Sequence, residues 1–459
     1  MVHHIVIQKF GGTSVQDSDA MARAIEIVRD RGIMRRTRPL VVLSACAGVT
    51  NSLIRISELS LKETTADALS FVDQLEVRHA RIARELIEEE DTVAEVHQGL
   101  HKIWEELRTR VRGVNLLREL TPKSRDQIQS LGERASTTIF HAALQEQLEE
   151  DDIACHFLDA RDFIITSNEF TAARPLMSEI TRRMKKIHAA LAKGAVGVTQ
   201  GFIGRTLAGE TTTIGRGGSD FSAAIMGVVM DAREIQIWTD VAGIMTCDPR
   251  IAPAAWTIGQ ISFHEASELA FFGAKVLHPE TIWPAVEKSI PVHVLSSMEP
   301  EKDGTVIVEE TEESRAMTGI AVKRSISFVR ISSNGSQPNP AVQQTVWNAL
   351  GDANIIPLAV SLSVDGASFA FGDASAVPIL RATCEGLAHL DIQSDRSLIT
   401  LVGSGLYTQS GIAARMFRAL GRTNCEMVSY GGSESAISLV VQDDVANKVV
   451  KKLHNEFFE

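Results

Sequence analysis

Lys9-Phe10-Gly11-Gly12-Thr13-Ser14 follows the apolar run Ile5-Val6-Ile7 and precedes a stretch of helical character. Two glycines let the backbone approach a phosphate, N–H groups at a helix start point at it, and Lys9 adds a point charge. The same residues also make a plain turn with an N-cap, so this segment alone leaves both readings open. A second segment, Thr211-Thr212-Thr213-Ile214-Gly215-Arg216-Gly217-Gly218-Ser219-Asp220-Phe221, sets three glycines around an arginine. Each glycine costs backbone entropy that a flexible surface loop, the competing reading, need not lose. An arginine held there grips a carboxylate by a two-pronged hydrogen bond, Ser219 adds a hydroxyl, and Asp220 is placed to orient Lys9 or assist a metal.

A third segment runs from Trp238 through Thr239 and Asp240 to Arg250 and suits a nucleotide pocket: apolar residues for a base, Thr239 and Asp240 for its polar edges, Arg250 for phosphate. Phe272-Gly273-Ala274-Lys275 brings a second lysine beside a glycine turn. Lys9, Arg216, Arg250 and Lys275 form the cation pattern that phosphoryl transfer needs, where positioning and charge neutralisation do most of the work. A carboxylate acceptor, with a pKa of about 4, is already ionised and needs no general base. His97 and His101 stand at helical spacing but lack a third ligand, and His264-Glu265 lacks the second histidine of a zinc protease motif. The glycines near Lys9 match neither a P-loop nor a dinucleotide fingerprint.

The elements that must position these residues follow a βαβ order: a strand at 5–9, a helix at 21–31 and a strand at 40–43, hence a parallel sheet. Charged helices over 53–120 are expected to cover one side of the site, with further strands near 194–200 and 234–238. An acidic, turn-rich stretch at 299–314 marks the boundary to two α+β modules of similar rhythm. At 459 residues the chain is long enough for two or three domains. Its net charge of -12 argues against nucleic-acid binding, and it has no apolar run long enough to cross a membrane. Five scattered cysteines and the lack of a leader before Ile5 fit a cytoplasmic protein beginning near Met1.

The four segments in this order resemble the aspartate kinases of the amino acid kinase family over essentially the whole chain. Ser44-Ala45-Cys46-Ala47-Gly48-Val49-Thr50-Asn51 and Ser130-Leu131-Gly132-Glu133 add to the likeness. The resemblance implies an α/β fold, a mostly parallel sheet between helices in a catalytic domain at 1–300, then a linker at 301–315. A regulatory region at 316–459 follows, with two ACT modules at about 325–393 and 397–459, and 317–323 belonging with the last. It implies Lys9 and Asp220 as catalytic residues. ATP would meet Lys9, Phe10, Gly11, Gly12, Thr239, Asp240, Met245, Arg250 and Lys275. Aspartate would meet Thr50, Glu133, Phe202, Arg216, Gly217, Gly218 and Ser219. ATP and Mg²⁺ are the implied cofactors, and the partners are L-aspartate, an amino-acid effector at the ACT modules, and further copies of the chain in a homodimer or homotetramer.

Two departures stand out. Met245 replaces an aromatic residue, and 332–341 replaces the stretch that lines the effector site of the lysine-sensitive type, so lysine inhibition does not carry over. With about forty residues after Leu420, no fused homoserine dehydrogenase is expected. A glutamate kinase on the same fold and a non-catalytic sensing subunit are the alternatives. The former fits Glu133 and Arg216 less well, and the latter predicts a damaged cradle where Lys9, Glu133, Arg216, Asp220 and Lys275 are all present.

Overall fold

Ile5, Val6 and Ile7 are buried on both faces of the strand His4–Phe10, as a central strand of a parallel sheet requires. The computed structural model describes residues 4–34, 37–62, 64–215, 217–274, 279–311, 315–335 and 339–459. They fall into two compact units, Met1–Gly243 with His278–Glu309, and Ile244–Leu277 with Glu310–Glu459.

In the first unit six parallel strands run side by side in the order Cys155–Leu158, Val196–Gln200, Thr37–Leu43, His4–Phe10, Glu234–Thr239 and Val292–Ser296. Thr305–Val308 then adds antiparallel to Val292–Ser296. The expected linker at 301–315 therefore needs correcting, because it holds a sheet strand. Thr305 and Ile307 alternate inward and are buried, which secures the strand despite its acidic surroundings.

Side chains alternate across the sheet, and this decides which helix each residue meets. Ile7 and Ile235 lie beneath the helix Gly218–Val229, close to Gly227. On the other face Phe10 stacks on Trp238 with ring centroids 6.1 Å apart and touches Phe140 of the helix Leu131–Glu149. The charged helices Ala66–Leu86 and Glu90–Leu117 each bury one stripe, including Leu75, Ile82, Trp104 and Leu107. Arg108, itself largely buried, pairs with Asp73 and Glu76 across the two helices. His97 bonds the Ala80 carbonyl and His101 bonds Glu76, so the two rings serve separate partners.

The second unit contains a six-stranded antiparallel sheet, ordered Ala359–Leu362, Gly366–Phe371, Gly319–Ser333, Ala388–Val402, Ala436–Gln442 and Met427–Ser429. Its two central strands are 15 residues each and pass through both modules. Gly319 to Lys323 pair with Leu398 to Val402, and after a register shift Phe328 to Ser333 pair with Ala388 to Gln393. Accordingly Met317 and Ile320 pack with Ile399, Ile412 and Leu453, while Val329 and Ile331 pack with Val346, Phe369 and Leu380.

Candidate active site

The carboxyl ends of the central strands are level: Phe10 pairs with Leu43 on one side and Trp238 on the other, and Leu43 with Gln200. The loops that follow them emerge along one edge, where open α/β sheets bind ligands. A cavity of about 420 Å³ opens there, lined by Lys9, Gly12, 44–48, Thr50, Asn51, Glu133, Phe202, Gly215 and 217–220.

Lys9 shares the sheet face of Ile7, the face that carries the helix Gly218–Val229, and Asp220 lies in that helix's first turn. Alternation along one strand and the start of one helix thus bring them together. Lys9 Nζ sits 2.6 Å from Asp220 Oδ1, with both side chains largely buried. The contact is an ion pair rather than an aligned hydrogen bond, since Oδ1 has no hydrogen-bond partner.

Gly12 is required by proximity. A Cβ there would stand 2.8 Å from the Ala45 carbonyl, and Gly12 itself accepts from Ala47 N–H at 2.9 Å. Gly217 caps the helix Gly218–Val229 at φ 69°, a left-handed conformation that favours glycine. A Cβ on Gly218 would meet the Phe202 ring at 2.6 Å. Phe202 itself adopts φ 67°, held by its N–H to Ser222 Oγ at 2.9 Å and by Ile214 N–H to its carbonyl at 3.0 Å. A bulky residue in that region stores backbone strain, which clusters at ligand sites.

Glu133 lies in the first turn of the helix Leu131–Glu149 and is buried. Its Oε1 accepts from Ala45 N–H at 3.2 Å, while Oε2 is buried with no hydrogen-bond partner among the described residues. Burial pushes the carboxyl up to about 7, against the opposing pull of the Ala45 and Glu133 N–H groups. A buried unpaired carboxylate oxygen is costly unless a ligand donates to it.

The cavity gathers Lys9, Gly12, Thr50, Glu133, Phe202, Gly217, Gly218, Ser219 and Asp220 from the expected set. Arg216 and Lys275 lie outside the described residues. Phe10 is corrected: the alternation that aims Lys9 at the cavity turns the Phe10 ring into the core, and its carbonyl accepts from Ser44 N–H. Gly11 donates to the Trp238 carbonyl, which ties the turn to the neighbouring strand. Thr239 ends that strand, and its hydroxyl donates to the exposed Asp240 at 3.1 Å. Met245 and Arg250 belong to the second unit, where Arg250 pairs with Asp248 at 2.8 Å. Two residues went unforeseen: Ser222, which holds Phe202, and Asp126, buried beneath the loop that leads to Gly215.

An amino acid kinase family model matches residues 4–296, and an ACT domain model matches 399–457. The chain belongs to the amino acid kinase family. Within this family it is 33% identical to lysine-sensitive aspartokinase 3 of Escherichia coli, over 99% of each chain. It is 35% identical to the chloroplastic aspartokinase 3 of Arabidopsis thaliana, over 99% of this chain and 81% of that one. The crystal structure of E. coli aspartokinase III in complex with aspartate and ADP superposes with a TM-score of 0.82 at 31% identity, covering 99% of this chain and all of that one. The full-length match to aspartokinases sets the activity of this amino acid kinase: ATP-dependent phosphorylation of the L-aspartate β-carboxylate to 4-phospho-L-aspartate, the first step toward lysine, threonine and methionine.

Proposed function

We propose that the cavity around Lys9 and Glu133 is where aspartate meets the γ-phosphate. The observation that carries this is the buried, unpaired Glu133 Oε2 in the same cavity as the Lys9–Asp220 pair. Glu133 accepts from the substrate α-ammonium, Arg216 pairs with the α-carboxylate, Thr50 and Ser219 add hydroxyls, and Phe202 closes the pocket. Gly217 and Gly218 open the helix N-terminus toward the anionic substrate. Lys9, held by Asp220, with the close turn at Gly11 and Gly12, faces the transferring phosphoryl group. One β-carboxylate oxygen forms the new P–O bond as the bond to the ADP oxygen breaks, and Lys9 offsets the charge that gathers there.

Thr239 and Asp240 continue the nucleotide site in this reading, Phe10 contributing backbone alone. The described residues hold no cluster of three or more metal-ligating side chains. Mg²⁺ would enter on the nucleotide phosphates, with Asp220 and Asp240 as the nearby carboxylates, and would supply further neutralisation of phosphate charge. The ACT modules serve an amino-acid effector, and the chain works in the cytoplasm as a homodimer or homotetramer. Among the described residues no helix is long and apolar enough to cross a membrane.

The test is a coupled ADP-release assay with Glu133→Gln. A rise in the KM for aspartate with the KM for ATP unchanged supports the assignment, and an unaltered aspartate KM removes it.

A further inference from the structure

Arg78 lies on the helix Ala66–Leu86, and nothing in the site reading above uses it. Its neighbours Arg81 and Arg84 pair with Glu85 and Glu90. Arg78 instead gives its guanidinium to two backbone carbonyls of the site loops: Nη1 donates to Ala47 O at 3.0 Å and Nη2 to Gln16 O at 2.9 Å. Its charge is felt at the cavity. Burial pushes the thiol of Cys46, which lines the cavity, up to about 12, and the Arg78 charge pulls the other way.

Gln16 closes the turn Gly12–Val15, and Ala47 sits in the loop between the strand Thr37–Leu43 and the helix Val49–Leu59. Ser44 N–H donates to the Phe10 carbonyl at 3.2 Å and Ala47 N–H to the Gly12 carbonyl at 2.9 Å, so the two segments are joined directly as well as through Arg78. The Ala47–Gly48 peptide is trans, and its N–H points opposite to the carbonyl that Arg78 holds. Gly48 lines the cavity, and its N–H has no acceptor among the described residues. At φ 81° Gly48 is left-handed, and a glycine lets that peptide turn either way. The turn by itself therefore does not choose the direction of the Gly48 N–H; the grip on the Ala47 carbonyl does.

We propose that Arg78 is a positioning residue for phosphoryl transfer: by holding the Ala47 carbonyl it aims the Gly48 N–H at the transferring phosphoryl group. This rests on the reading that transfer takes place in the cavity around Lys9. A donor fixed in advance toward charge that gathers in the transition state needs no rearrangement at the moment of reaction, and removing one such donor costs about 10²–10³-fold in kcat. A donor whose peptide is merely freed to turn keeps part of its effect, so loosening costs less than removal. Lysine at 78 keeps the charge, but an ammonium lacks the planar fork that holds two carbonyls in one geometry.

The experiment is steady-state kinetics of Arg78→Met and Arg78→Lys with aspartate and ATP, alongside Lys9→Ala and thermal melts of each. Arg78→Met is expected to lower kcat about 10–100-fold while both KM values stay within about twofold, because the Gly48 N–H acts on charge that gathers in the transition state. Arg78→Lys recovers only part of that loss. If Arg78→Met does not fold, Arg78→Lys decides: a lowered kcat at unchanged KM sustains the proposal, and a wild-type kcat overturns it. A kcat of Arg78→Met within about twofold of wild type also overturns it. So do KM values that rise as kcat falls, or an Arg78→Lys no faster than Arg78→Met; the arginine is then a plain clamp between loops. If Lys9→Ala is inactive while Arg78→Met behaves as wild type, the role of Arg78 alone is wrong. If Lys9→Ala turns over normally, the site reading fails and takes the role of Arg78 with it.

Discussion

Lys9 Nζ lies 2.6 Å from Asp220 Oδ1, so the lysine that faces the cavity is held by a carboxylate from the first turn of the helix opposite. The pair is largely buried, and its members are not equivalent for turnover. In the proposed site one meets the developing negative charge and the other holds its partner in place.

Lys9→Ala is expected to lower kcat about 10²–10³-fold or more while the protein stays folded, because the charge is wanted in the transition state. Asp220→Asn keeps the lysine and should lose less. Single-turnover kinetics with circular dichroism separate the two, and near-normal turnover of Lys9→Ala would remove the lysine from the site.

If Glu133 receives the substrate ammonium as proposed, aspartate capture is sensitive to pH. Burial puts its carboxyl at about 7, and an ammonium needs the ionised form. Below that value kcat/KM for aspartate falls about tenfold per pH unit, and Glu133→Gln flattens the limb at low activity. A wild-type profile flat through neutrality contradicts this.

The same shift acts on stability with the opposite sense. The folded value lies above the ordinary carboxyl value, so the native state holds an extra proton between the two. Its stabilising effect is full below the ordinary value and is lost as pH rises through about 7. Glu133→Gln should therefore raise Tm relative to wild type in mild alkali and not in acid; equal differences at both ends of a melting series would count against it.

Neighbouring glycines should respond differently. Gly12→Ala sets a Cβ 2.8 Å from the Ala45 carbonyl, and is expected to cost about 1–3 kcal/mol and most of the activity. Gly11→Ala meets nothing nearer than 3.5 Å and should melt as wild type. Urea unfolding of the two variants checks the contrast.

Lysine is expected to inhibit weakly or not at all, since 332–341 departs from the effector-lining stretch of the lysine-sensitive type. Residues 336–338 of that stretch lie outside the described set. Initial rates with lysine, threonine, methionine, and lysine with threonine test this, and strong inhibition at sub-millimolar lysine refutes it.

Lys9, Gly12, Gly215 and the 217–220 segment were legible because a strand, a tight turn and a helix start leave local marks in sequence. Phe10 could have been assigned to the core by the alternation that aims Lys9 at the cavity. The strand Thr305–Val308 was hidden by its brevity among acidic neighbours. Asp126 was beyond local reading, since its partners lie 45 and 87 positions away. Only the folded chain shows that a carboxylate on a polar helix is buried there.

The two 15-residue strands that run through both ACT modules bear on protein engineering. A graft that exchanged one module for a relative's, to install a new effector response, would have to sever both strands in mid-ladder. The bulge between Lys323 and Phe328 is the natural seam for one of them. The other is irregular at the same place, where Arg396 and Gln393 oppose Ile326 and Phe328, and its register with Ala436–Gln442 is unbroken only from Arg396 to Val402. A module swap therefore has to rejoin both strands within this one irregular stretch, and point changes in place are the route that leaves both ladders uncut.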